Sequence, residues 1–140
     1  MLASTLFLAL LALLETLMLT PVAYALAVVL ALFCVFIGVR FLMAPRAAAA
    51  GYGVPAKPDG DIAYLEIKGL RDLTFGILGL ALIAFADAHA AGWYMLVVAL
   101  APLGDTLIVL RHGGAKAVAF GVHFATAVAV LVSAALLFAV

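Results

Sequence analysis

Lys68-Gly69-Leu70-Arg71-Asp72 sets three charges within five residues at the head of a segment that is otherwise almost wholly apolar through Ala86. On a helix, Lys68 and Asp72 are i,i+4 neighbours on one face, with Arg71 beside them. Gly76 and Gly79 lie close to that face one and two turns on, where another helix can approach closely. Ionisable groups in a bilayer cost roughly 2.5–3.5 kcal/mol each near a helix centre and less toward its ends, so they normally face a partner or a wet cavity. The stretch therefore predicts a helix packed in a membrane bundle, with a polar site near one end.

Composition agrees. Of 140 residues, 70% are apolar and only 10% are charged. A soluble domain so apolar would expose large sticky patches, and the bilayer is the solvent that fits. Formal net charge is zero, so no global field recruits nucleic acid. The single cysteine, Cys34, lies in an apolar run and cannot form an internal disulfide; packing is its plain reading. The expected fold is one all-α transmembrane domain over residues 1–140, with no soluble module.

Working outward from the charged stretch, the third helix is expected over 65–86. Upstream, 2–19 is an apolar run broken only by Glu15, just long enough to span. Thr20-Pro21 can end it and open a second helix over 22–43, with Thr20 as N-cap and Pro21 at the first helical position. A continuous helix over 2–43 would be roughly 60 Å long, too long for one crossing. So the chain is expected to turn near 20, or else its first segment lies along the interface. A rival reading takes Ala23-Tyr24-Ala25 as a signal-peptide cleavage site. Against it, no Lys or Arg precedes the apolar run and Glu15 interrupts it.

Residues 44–64 read as the one long loop, dense in Gly and Pro. A solvated connector is the plain reading, and a lid over a cavity mouth the functional one. Gly51-Tyr52-Gly53 is no phosphate loop, having no strand before it and no Lys-Ser/Thr after it. Downstream, Asp87-Ala88-His89 reads as a turn and 93–110 as the fourth helix, with Trp93 and Tyr94 in an interfacial aromatic belt. The turn at Arg111-His112-Gly113-Gly114 leads to the fifth helix, 116–140. Every Lys and Arg flanks either the long loop or the last turn, so that side is expected in the cytoplasm. Five passes then put the N-terminus inside and the C-terminus outside. If the first segment does not span, the N-terminus moves outside.

Helix rise places ionisable groups of four helices at one level. Measured from the cytoplasmic ends, Arg40 lies about 6 Å in, Asp72 and Asp105 about 10 Å, and His123 about 12 Å. Asp105 shares a stripe with Val98, Ala101, Pro102, Val109 and His112. Lys116 and His123 share a face with Ala127 and Ala134, and Arg40 one with Val29, Phe33 and Phe36. These stripes are expected to turn inward to a small cavity. Pro102 could free a carbonyl into it. In the functional reading Arg40, Lys68 and Arg71 hold an anionic or enolisable ligand, Asp72 orients them, and Asp105 or His123 moves a proton.

In the plain reading Lys68–Asp72, and Arg40 or Arg71 with Asp105, are salt bridges that fix register, and His123 bonds a neighbouring helix. Arg111 and Lys116 snorkel to headgroups, His112 and His89 are turn and interfacial residues, and Glu15 caps a helix end or pairs with His89. Asp105, His112 and His123 can be written as a two-histidine, one-carboxylate metal set, a weak signal without motif spacing that nearby cations oppose. Neither a metal site nor a cofactor is assigned.

Several pieces in order resemble a known family: Gly38-Val39-Arg40-Phe41-Leu42 with Pro45, Gly51-Tyr52-Gly53-Val54-Pro55, Lys68 to Asp72, Pro102-Leu103-Gly104-Asp105 and Arg111-His112-Gly113. The chain is similar to the small multi-pass membrane proteins grouped as domain of unknown function DUF4267, found in bacteria and fungi. The resemblance implies a core of four transmembrane helices, with residues 1–20 as an added helix. Its motif positions include Arg40, Lys68, Arg71, Asp72 and Asp105. Fungal members look like accessories of secondary-metabolite pathways, which implies chemistry on lipophilic small molecules. Small four-helix membrane oxygenases acting on anthrones are an architectural analogue only.

Three functions follow as expectations. The first is a membrane enzyme or binding protein for a lipophilic, anionic or carbonyl-bearing molecule. The second is a small transporter working as a homo-oligomer, with Glu15 in the place of the lone glutamate of tiny exporters. The third is an assembly subunit whose charges only set register. Membrane lipids are the partners common to all three.

Overall fold

The computed structural model describes residues 2–60 and 62–140, apart from the side chains of Leu2, Ala3 and Glu15. Glu15, read as a cap or as a partner of His89, and Asp61 of the long loop therefore fall outside the described residues. Helix α1 covers Leu2–Met43, α2 Pro45–Tyr52, α3 Ile62–Phe85, α4 Ala88–Val98, α5 Leu100–Arg111, α6 Lys116–Val118 and α7 Ala125–Phe138, with a π-helical stretch over Ala119–Phe124 between the last two. No strand occurs among the described residues. Three helical stretches, Ser4–Met43, Ala88–Arg111 and Lys116–Phe138, are long and apolar enough to cross a membrane. Helix α3 is of similar length, but its first turns carry the charges.

The turn expected near Thr20-Pro21 is absent, and α1 runs unbroken through Pro21. Proline removes one backbone hydrogen bond and costs about 3 kcal/mol in a helix interior. In lipid, unwinding an apolar stretch would leave several groups unpaired at a few kcal/mol each, so in that solvent continuity is the cheaper outcome. Only the C-terminal half of α1 joins the bundle. Ala23, Ala27 and Ala31 are buried, whereas Leu6, Phe7, Leu10, Leu13 and Leu17 are exposed around the helix. The alanines of Ala23-Tyr24-Ala25 thus lie within an unbroken helix, with Ala23 in its core.

The long loop is also shorter than expected. Residues 45–52 are helical, with Pro45 in the first turn and four alanines after Arg46. Gly53 ends the helix at φ +95°, a left-handed conformation that glycine adopts without strain. That is the use of the second glycine in Gly51-Tyr52-Gly53. Likewise Ala88 and His89 are helical, because Asp87 is the N-cap and its side chain accepts from the Ala90 N–H at 2.7 Å. Between α4 and α5 the pattern breaks at Ala99, where Pro102 lacks the N–H that would reach the Val98 carbonyl.

Helix α1 packs along α3 and crosses α7; α4 packs on α7, and α5 on the π-helical stretch. The α1–α3 seam is a backbone contact. A Cβ on Gly38 would lie 2.4 Å from the Leu73 nitrogen, and one on Gly76 2.7 Å from the Val35 nitrogen. At the far end of the bundle, Ala23, Ala27, Ala91, Met95, Val130 and Leu137 form the main core.

Candidate functional site

At the loop end of the bundle the helices stand apart around a cavity of about 300 Å³. Arg40 on α1, Asp72 on α3, Asp105 on α5 and His123 on the π-helical stretch all border it. Two others of the expected site do not. Lys68 forms an ion pair with Asp72, and Arg71 is exposed. Among the described residues, neither Arg40 nor Arg71 pairs with Asp105, which accepts a hydrogen bond from the Tyr52 hydroxyl. The salt bridges read for Asp105 are thereby replaced by a neutral donor.

Tyr52 is the residue that the sequence reading left without a role. It ends α2, which roofs the cavity through Ala48, Gly51 and Tyr52. The short helix is held there because Ala48 and Ala49 are buried against Phe41. The Tyr52 ring meets Phe41 edge-on at 5.4 Å and the His123 ring at 4.3 Å. The Lys68 ammonium lies 4.2 Å from its ring centroid and 4.6 Å from that of Phe41. Burial, with the Asp105 carboxylate beside it, pushes the phenol well above its ordinary range, so it remains a donor.

His123 is 2% exposed, and its Nε2 lies 2.8 Å from the Tyr52 carbonyl. A carbonyl can only accept, so Nε2 carries a proton and donates. The extra residue of a π-turn re-aims side chains, and such turns are common at functional sites. Here it brings His123 against the α2 roof. Lys116, on the same expected face, is exposed, while Ala127 and Ala134 are buried. His112 caps α5 and is exposed, with Nδ1 2.9 Å from the Ile108 carbonyl. The set Asp105, His112 and His123 does not assemble, and no group of three potential metal ligands occurs among the described residues.

Two further residues differ from their sequence reading. Cys34 lines the cavity and donates its thiol to the Asp72 carbonyl at 3.1 Å. Tyr94, expected in an interfacial belt, lines the cavity too; its hydroxyl donates to the Phe75 carbonyl and its ring packs on Gly79. His89 packs its ring 5.9 Å from Phe138. The walls are mostly apolar. Phe33, Phe36 and Val122 border the cavity yet are 41, 53 and 42% exposed, so it opens sideways at the outer face of the bundle between α1 and the π-helical stretch.

The model for a domain of unknown function (DUF4267) matches residues 31–137, most of the chain, and the chain belongs to that family. The match begins within α1 at Ala31 and takes in every residue that borders the polar end of the cavity. No curated protein and no solved structure is significantly similar.

Proposed function

We propose that this member of the DUF4267 family is a multi-pass membrane protein whose cavity takes up a lipophilic small molecule with a polar head from the bilayer. The observation that carries the reading is the cavity: apolar walls, a sideways opening, and ionisable groups of four helices at one end. Sites for small molecules have this build, largely apolar with a few placed polar groups. Intramembrane ionisable groups at a cavity are functional by default. In this reading Arg40 stands at the rim, Asp105 and His123 are the groups able to hold or move a proton, and Lys68 neutralises and orients Asp72. Of the three cations expected to hold an anion, Arg40 alone borders the cavity.

The test is native mass spectrometry of protein extracted with its own lipid. Wild type is expected to retain one small-molecule adduct per chain, and Ala101→Trp, which fills the cavity, is expected to lose it. Wild type free of adducts, or a variant that keeps the adduct, would contradict the reading.

A register-setting role has one observation in its favour, the formed Lys68–Asp72 pair. In both readings the end that carries all the Lys and Arg faces the cytoplasm, and the C-terminus lies opposite. A cytoplasmic N-terminus requires residues 4–19 to cross separately. Reporter fusions at each terminus decide both points: a C-terminal reporter active only in the cytoplasm would reverse the orientation.

A further inference from the structure

We infer that the head group this cavity selects is a protonated amine, held by Asp105 among aromatic rings. The inference rests on the cavity being a small-molecule site, and it adds the charge of the ligand. It comes from the hydrogen-bond inventory of the lining. The Cys34 thiol, the Tyr52 hydroxyl, the Tyr94 hydroxyl and the His123 Nε2–H already donate to protein oxygens. What remains toward the cavity is mostly acceptor capacity, the carboxylates of Asp72 and Asp105. The Thr126 hydroxyl can act either way, and Arg40 is the one charged donor, exposed at the rim. A ligand that offers only acceptors, such as a carboxylate or a carbonyl, would leave these acceptors unpaired. A ligand that donates would satisfy them.

Charge points the same way. Asp72 has its cation in Lys68, whereas Asp105 has no cationic partner among the described residues. Ions in a membrane survive by pairing, and Tyr52 gives the half-buried Asp105 only a neutral donor, so its missing cation is assigned to the ligand. The surroundings suit one. Phe41 and Tyr52 already hold the Lys68 ammonium over their rings, and Phe75 and Tyr94 add further ring surface to the walls. Lys68 and Arg40 oppose a cation, but Lys68 is paired with Asp72, and the Arg40 guanidinium lies 5.9 Å from the Phe36 ring on the exposed side of α1, at the rim.

The experiment compares three probes of one chain length, decylamine, decanol and decanoate, at neutral pH. They are titrated into the full chain in nanodiscs of zwitterionic phosphatidylcholine and read by native mass spectrometry. Decylamine is expected to saturate at one per chain and to bind roughly tenfold or more tightly than decanol, the scale of a hydrogen bond to a charged group. Decanoate is expected to bind more weakly than both. Asp105→Asn is expected to bring amine and alcohol within about twofold of each other while decanol binding persists, and Asp105→Glu to restore the preference. If the asparagine variant fails to assemble, the wild-type ranking still decides. Decanoate binding more tightly than decylamine, or amine and alcohol binding alike to wild type, would overturn the amine assignment and leave the cavity reading standing. Saturable binding of none of the three would overturn the cavity reading itself.

Discussion

Along α3, helix α1 approaches until glycine backbones touch; toward α5 and the π-helical stretch the same helix stands off far enough to leave a cavity. The first contact is made by Gly38, Gly69 and Gly76, where any Cβ would meet backbone atoms. The second side is kept open by Phe33, Phe36 and Tyr52, whose rings line the space, and by ionisable groups that cannot close on one another without burying charge. Close packing in an apolar solvent depends on small residues, because lipid supplies no hydrophobic force to drive helices together. An open polar site depends on such a seam to hold its walls. The seam thus belongs to stability, and the open side to the proposed function.

The largest expected effect breaks the seam. Gly38→Leu forces a side chain onto the α3 backbone and is expected to cost about 3 kcal/mol or more, enough to abolish a stable bundle. Thermal unfolding in detergent checks it; an unchanged melting temperature would mean that the helices are not in backbone contact. Next, His123→Ala leaves the Tyr52 carbonyl unpaired and is expected to cost about 1–3 kcal/mol. The damage should stay local. Proteolysis within residues 45–60 should speed up while the α1–α3 seam resists, and equal loosening of both regions would erase the contrast.

Exchanging Lys68 and Asp72 sharpens the comparison further. The pair can re-form, so stability is expected to change by less than about 1 kcal/mol, while uptake of a cavity ligand falls as a cation enters the lining. Retained uptake would favour the register-setting role. Smallest is Arg71→Gln, expected within about 0.5 kcal/mol and without effect on the cavity, since Arg71 is exposed. A marked loss of ligand there would return Arg71 to the site.

Much of the helical plan could be read from the residues. Apolar runs mark the long helices, and Gly76 and Gly79 mark the face that α1 and Tyr94 approach. Helix rise alone put Arg40, Asp72, Asp105 and His123 at one depth, and all four border the cavity. The failures have physical reasons. Thr20-Pro21 looks like a helix start, but a single proline costs less than unwinding apolar chain. The Gly-Pro density of 44–64 hid α2, although Pro45, the alanine run and Gly53 form a proper first turn, body and C-cap. The role of Tyr52 depends on contacts with residues 53 and 71 positions away, Asp105 and His123, which no local pattern encodes. The one signal that could have found it is its place between two glycines at a helix end. Arg71 adjoins Asp72 in sequence, but its side chain lies on the outside.

The most direct measurement is a high-resolution structure of the full chain purified in native lipid, inspected for density between Asp105, His123 and the Phe33–Phe36 opening. The account predicts an elongated molecule in the cavity, its tail toward the opening and its head within hydrogen-bond distance of Asp105. A dry, closed space with Arg40 paired to Asp105 would contradict it, and the four ionisable residues would then be a device for helix assembly.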